Sequence, residues 1–238
     1  MDGALVSAVI PVYNDRAGLE RAVPLSLDAL AKISGSFELI VAEDGSTDGS
    51  AEFVRACAAD DPRVRLLHSD TRLGRGRALN RAILEARGEI VCYYDVDLAT
   101  DLAHLADLIG AIRTGCDMAT GSRLLPGSQT RRGGRRELAS RGYNFLVRSV
   151  LGSRVHDHQC GFKAFRREKI VSLIPGVLDT HWFWDTEVLV RGQRAGMRIC
   201  EFPVRWQEGK GTTVRRSDVW KMGKAVFRLW WQLHVEEA

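Results

Sequence analysis

The chain is 238 residues long, 45% hydrophobic and 27% charged, with a net charge of +4. That suits one globular domain with a normal core and a short appendage; it leaves no length for two full domains, and no stretch reads as a linker rich in Pro, Gly or Ser. The weakly basic balance is compatible with anionic ligands or a lipid surface and decides nothing by itself.

Residues 5–12 are apolar and β-branched and predict a buried strand with Pro11 near its end. Asp15 is placed to cap a helix running to about Lys32, with Pro24 as a kink inside it. A second strand over 37–43 ends in the turn Glu43-Asp44-Gly45-Ser46, and Thr47 or Asp48 starts a helix to about Ala58. Residues 64–68 predict a third strand, and Gly74-Arg75-Gly76 leads into a helix ending near Ala86. Strand 89–94 delivers Asp95 and Asp97 at its carboxyl end, followed by a helix over 103–113 and a strand over 117–121. This alternation predicts an α/β domain with a mostly parallel sheet and helices on both faces. In such sheets ligands bind at the carboxyl ends of the strands, where Asp44, Asp95 and Asp97 fall.

Beyond Gly121 the alternation loosens. Residues 124–136 read as a loop made basic by Arg131, Arg132, Arg135 and Arg136. A helix over 137–151, a short strand over 163–166, a helix over 185–195 and a strand over 197–206 follow. Residues 217–235 form the clearest amphipathic helix, with Val219, Met222, Val226, Leu229, Trp230 and Leu233 at helical spacing and Lys221, Lys224 and Arg228 on another stripe. Tryptophans beside cations suit a helix lying in a membrane interface; a terminal helix packed on its own domain is the other reading. The expected division is a main domain over 1–216 and this helix over 217–238.

No apolar run reaches the ~18 residues that span a bilayer, so any membrane contact is expected to be peripheral. The five cysteines are scattered without a CxxC pair, which argues against zinc and redox motifs. With no signal peptide in view, reduced thiols and a cytoplasmic location are expected.

Asp95-Val96-Asp97 carries the first chemical signal. Two carboxylates just past a hydrophobic strand can share one hard cation, and a diphosphate supplies further oxygen ligands. Acidic loop pairs are common and usually only solvated, so the strand-end position is what raises this one. Residues 9–15 (VIPVYND) and 43–49 (EDGSTDG) add a strand-end Asp that can accept from a base N–H and glycines that let a ligand approach the backbone; a plain turn and helix cap would look similar. Gly74-Arg75-Gly76 lacks the spacing of a dinucleotide fingerprint.

Together these motifs resemble the family 2 glycosyltransferases of the GT-A, Rossmann-like fold. The resemblance implies that the first-strand motif (Pro11, Tyr13, Asp15) and the turn Asp44-Gly45 hold the nucleotide, and that Asp95-Val96-Asp97 binds Mg²⁺ or Mn²⁺. It also implies a glycine-rich turn near the donor, where Arg77 or Asp70 reaches the nucleotide or merely starts a helix. Gly121-Ser122-Arg123, Arg136, Ser140, residues 157–165 (DHQCGFKAF), residues 182–187 (WFWDTE) and Trp206-Gln207-Glu208 resemble the dolichyl-phosphate hexosyltransferases, the β-glucosyltransferase branch first and the mannosyltransferases next. There Arg123, Arg136 and Ser140 would bind the lipid phosphate, with Gln159 and Gly161 near the sugar. Two departures stand out. Ala99 replaces a Gln common in mannosyltransferases, and Gly211-Thr212-Thr213 replaces a Gly-Ser-Lys ending, leaving Lys210 or Arg215 to compensate.

The implied reaction moves a hexose from UDP-glucose or GDP-mannose to dolichyl or polyprenyl phosphate with inversion, at the cytoplasmic face of a membrane. A lipid phosphate is already anionic and needs cations to hold it, which forked Arg hydrogen bonds supply. A hydroxyl acceptor would instead need a base, for which Asp185 is the candidate, with a helix cap as its plainer role. His156 and His158 flank Asp157 and read as loop or core residues rather than metal ligands. A non-catalytic nucleotide-sugar-binding membrane partner would show a damaged metal motif, and both Asp are intact. Nucleic acid is not an expected partner, because the basic residues lack a stacking platform.

Overall fold

The computed structural model describes residues 5–131, 133–208 and 216–236. Strands β1 (Val6–Val12), β2 (Phe37–Glu43), β3 (Val64–Leu67), β4 (Ile90–Tyr94), β5 (Met118–Ser122), β7 (Phe162–Arg166) and β8 (Ile199–Pro203) form one seven-stranded sheet in the order β3-β2-β1-β4-β7-β5-β8. Every residue of β1, β2, β4 and β5 is buried, as expected for strands covered on both faces. Alternation sorts them. Val6, Ala8, Ile10 and Val12 pack with α1 (Arg16–Ala31), α2 (Ser50–Asp60) and α4 (Leu105–Arg113), while Val9 packs on the other face with α3 (Arg75–Glu85), α6 (Arg167–Leu173) and α7 (Trp184–Arg194).

The sheet is parallel except at β7, which runs antiparallel between β4 and β5. The stretch expected as a basic loop contains a short strand, β6 (Gln129–Arg131), and its helix α5 (Gly134–Leu151) begins three residues earlier than the sequence suggests. The single strand expected over 197–206 is two. β8 pairs with β5, the chain breaks at Pro203-Val204, and β9 (Arg205–Gln207) crosses to pair with β6 in a separate two-stranded ribbon. The missing N–H of proline makes this a natural place to leave a ladder. Helix α6 has no counterpart in the sequence reading.

Asp15 caps α1 as expected, accepting from Gly18 N–H at 2.9 Å, and Pro24 lies within that helix. The last helix, α8 (Arg216–Trp231), packs Met222, Ala225, Val226 and Leu229 toward the domain; Val226 and Leu229 share a core with Val147 and Leu151 of α5 and Phe183 and Val190 beside and on α7. No helix among the described residues is long and apolar enough to cross a membrane. The expectation of reduced thiols fails at one pair. Cys116, before β5, is bonded to Cys200 on β8, with a Cα–Cα distance of 6.1 Å. The two are 84 residues apart, and only the β5–β8 pairing brings them together.

Candidate active site

Because β2 and β3 lie on one side of β1 and β4 on the other, a crevice opens at the carboxyl ends of β1 and β4. Pro11 is buried near the end of β1, in register with Ala42. The loops that follow β1 and β2 are fastened together. Asn14 donates its backbone N–H to Ser46 Oγ at 2.9 Å and accepts from Thr47 N–H at 2.8 Å. Tyr13 is exposed at the mouth, with the Arg72 guanidinium 3.9 Å from its ring centre.

Asp44 is buried, and its oxygens accept from the backbone N–H groups of Leu73 (2.7 Å) and Gly74 (2.9 Å). It thereby holds the chain entering α3, with its remaining lone pairs available to a ligand. Gly45 has φ +76°, and a Cβ there would lie 2.7 Å from the Thr71 carbonyl carbon, so the two loops meet only because this residue is glycine. Asp70 is almost fully exposed beside His68, and Arg77 faces solvent on α3. The α3 side chain that enters the site is Arg75, which the sequence reading passed over. Its signal was a cation held between two glycines, both of which pack against residues 179–181.

Asp95 and Asp97 line one small cavity with Tyr94, Thr100, Gly161 and Trp206. Val96, between them, is half-buried against the core beneath. A Cβ at Gly161 would fall 1.9 Å from Asp95 Oδ2, so this glycine makes room for the carboxylate. Asp97 Oδ1 accepts from Ala99 N–H at 3.0 Å, which leaves Oδ2 open to the cavity. Burial, then the charge of Asp95, pushes the Asp97 carboxyl up from its ordinary range. Leu98 completes the turn at φ +51°, a strained conformation for a non-glycine residue. Among the described residues no group of three His, Cys, Asp or Glu side chains gathers as a metal cage. Two hard carboxylate ligands at an open site fit a divalent ion that takes its other ligands from water and a diphosphate.

Arg75 bridges two carboxylates. Its Nη2 donates to Asp95 Oδ1 at 2.8 Å and its Nη1 to Asp185 Oδ2 at 2.6 Å. Asp185, at the start of α7, also accepts from Lys163 Nζ at 2.9 Å and from the Tyr93 hydroxyl. Burial alone would raise the Asp185 carboxyl, but the charges of Arg75 and Lys163 hold it below its ordinary range. Lys163 is fully buried and donates as well to the carbonyls of His158 (3.0 Å) and Cys160 (2.6 Å). It pins the 158–161 loop to α7. Its signal in the sequence was a lysine in the middle of an apolar strand.

Arg123 is spent largely on Asp157. Its Nε and Nη2 donate to the two carboxylate oxygens at 2.7 and 2.8 Å, and its backbone N–H adds a third bond at 2.9 Å. Its guanidinium carbon lies 5.5 Å from the Trp206 ring centre. Arg136, half-exposed on the first turn of α5, pairs with Glu208. One turn on, Ser140 Oγ is buried without a hydrogen-bond partner among the described residues. Gln159 directs its amide toward Met222 Sδ at 3.5 Å, beneath α8. Lys210 and Arg215 lie outside the described residues.

His158 is a core residue, as its sequence context suggested. Its Nδ1 donates to Asn144 Oδ1 at 2.7 Å and its Nε2 accepts from Ser153 Oγ at 2.7 Å, a tautomer assigned from these partners. Burial pulls its pKa from 6.5 down to about 3. The unfolded chain therefore binds a proton that the native state refuses, and stability is lost as pH falls from about 6.5 toward 3. Urea unfolding as a function of pH is expected to show this loss, on the order of 2–4 kcal/mol, and His158→Gln should flatten it. A slope unchanged by the substitution would assign the acid sensitivity elsewhere.

A mostly parallel α/β sheet with two carboxylates beyond β4, beside its switch point, is an arrangement of the GT-A fold. The family model for "Glycosyl transferase family 2" matches residues 7–173, and the chain belongs to that family. It is 50% identical over 237 residues to glycosyltransferase AglD of Haloferax volcanii, covering 98% of this chain but 38% of that protein. It thus spans well under half of that relative. It is 30% identical over 234 residues to dolichyl-phosphate beta-glucosyltransferase ALG5A of Trichomonas vaginalis, covering 94% of this chain and 72% of the relative. Glucosyl-3-phosphoglycerate synthase from Mycobacterium tuberculosis, solved with Mn²⁺, UDP and phosphoglyceric acid, superposes with a TM-score of 0.69 at 24% identity, over 97% of this chain and 78% of that one, and shows the same fold.

Proposed function

We propose that this chain transfers a hexose from a nucleotide sugar, UDP-glucose or GDP-mannose, to dolichyl or another polyprenyl phosphate, inverting the anomeric centre. The observation that carries this reading is the state of Asp185. A hydroxyl acceptor requires a free base, and the site's candidate base is buried, bound to Lys163, Arg75 and Tyr93, and lowered in pKa. A phosphate acceptor requires none. Arg136, half-exposed on the first turn of α5, suits a phosphate, with Ser140 one turn further on. A Mg²⁺ or Mn²⁺ ion held by Asp95 and Asp97 would neutralise the departing diphosphate. In this reading Asp15, Asp44 and Gly45, just past β1 and β2, hold the nucleotide, and the dolichyl-phosphate relative supports the acceptor class.

The test is transfer from radiolabelled UDP-glucose and GDP-mannose to dolichyl phosphate, with dolichol as the control acceptor. Label is expected in the organic phase from one donor with the phosphate only, and lost in Arg136→Ala/Ser140→Ala. Transfer to dolichol, or none to the phosphate, overturns the reading.

A polyprenyl-phosphate acceptor would be met at a membrane surface. Leu138 and Phe145 of α5 and Phe227 and Trp231 of α8 are all more than half exposed on two helices that pack together. Exposed apolar side chains on both helices, with Arg148 and Lys224 also exposed, suit an anionic lipid interface. Leu138→Glu/Phe227→Glu is expected to reduce flotation with phosphatidylcholine–phosphatidylserine vesicles about tenfold. Unchanged flotation would remove the membrane from this proposal.

A further inference from the structure

Arg75 occupies an unusual position for a cation. Its guanidinium lies between a carboxylate of the Asp-x-Asp pair and the carboxylate that opens α7, with its side chain only 13% exposed. It stacks over Tyr93 and Trp182, with its guanidinium carbon 5.3 and 5.6 Å from their ring centres. Its backbone has little freedom. A Cβ at Gly74, which has φ +101°, would lie 2.4 Å from Thr180 O, and one at Gly76 would lie 2.8 Å from Asp179 O. The N–H of Gly76 also donates to Thr180 O at 2.9 Å. The glycines thus seat this turn against the segment before α7, and the side chain is delivered to Asp95 from a fixed base.

We infer that Arg75 is a resident counter-cation that holds Asp95 in place and keeps the divalent ion out until a diphosphate arrives with it. The inference rests on the assignment of Asp95 and Asp97 as the metal pair. Two protein carboxylates form a thin site, and one of them already carries a guanidinium at 2.8 Å. A dication entering alone must break a partly buried charge pair and recover only two carboxylates. Entering with a diphosphate, it brings further oxygen ligands and negative charge, and the balance reverses. When Arg75 releases Asp95 it keeps Asp185, which stays neutralised by Lys163 as well, so α7 is not disturbed. Arg75 is in this sense a positioning residue acting through Asp95.

The measurement is Mn²⁺ binding to the nucleotide-free protein, followed by the loss of the free-ion signal in electron paramagnetic resonance. Arg75→Met, which keeps the length and stacking of the side chain, is expected to bind Mn²⁺ on the order of tenfold more tightly than the parent. Arg75→Lys keeps the charge and is expected to stay close to the parent. Unchanged or weaker Mn²⁺ binding in Arg75→Met overturns the inference, and so does a Lys variant that binds as tightly as the Met variant. Asp97→Ala separates this from the metal assignment itself. If Asp97→Ala leaves Mn²⁺ binding intact, the metal pair is wrong; if it abolishes binding while Arg75→Met changes nothing, only the role of Arg75 is wrong.

Discussion

Asp97→Asn is expected to lower glycosyl transfer by about a thousandfold or more while leaving the folded protein as stable as before. The amide oxygen can still accept from Ala99 N–H, so the turn after β4 keeps its geometry. What is lost is the charge on the one Asp-x-Asp carboxylate that has no cationic side chain bound to its oxygens among the described residues. Burial and the neighbouring Asp95 already disfavour that charge in the ion-free protein. Removing it therefore costs no stability, and Tm is expected to stay where it was. Activity, Mn²⁺ binding and thermal unfolding on the same sample separate the effects. A variant that loses activity only because it unfolds, or one that stays active, would show that Asp97 has a structural role or none.

Arg123→Ala is expected to fail for a different reason. Asp157 is completely buried, and the coulombic pull and hydrogen bonds of Arg123 outweigh burial and hold its carboxyl far below the ordinary range. Deleting the guanidinium strands that carboxylate, at a cost of roughly 3–5 kcal/mol. For a chain of this size that lowers Tm by about 10 °C. Asp157→Asn in the same background should recover a large part of the loss, because the stranded group is then neutral. A double-mutant cycle with a coupling below about 1 kcal/mol would contradict this account. The consequence for the acceptor site is practical. Lost transfer in Arg123→Ala says nothing about phosphate binding unless the unfolding is measured, whereas Arg136, half-exposed on the first turn of α5, can be changed at small structural cost.

Much of this protein was legible in the chain itself. The apolar runs that become β1, β2 and β4, the cap at Asp15 and the carboxylates that follow each strand are local features. They depend on residue type and spacing over a few positions, and the structure returns them nearly where they were expected. The amphipathic stripe of α8 was equally legible, but not its use. The sequence offered a membrane face or a packed face, and the fold buries Val226 and Leu229 while leaving Phe227 and Trp231 exposed.

Tertiary structure decided the rest, because the remaining contacts join residues far apart along the chain. The antiparallel insertion of β7, the split of one apparent strand into β8 and β9, and the Cys116–Cys200 bond all follow from which strands become neighbours. The same holds for the charges. The two flanking glycines mark the turn at Arg75, but that Arg75 rather than Arg77 enters the site depends on which face of α3 the core claims. Nothing local shows that Asp185 is neutralised by Lys163 and Arg75, 22 and 110 residues away, or that Arg123 is held by Asp157. Residue type and spacing determined the fold class and the place of the Asp-x-Asp pair at a strand end; which charges are free to act was settled only when burial forced each one to find a partner.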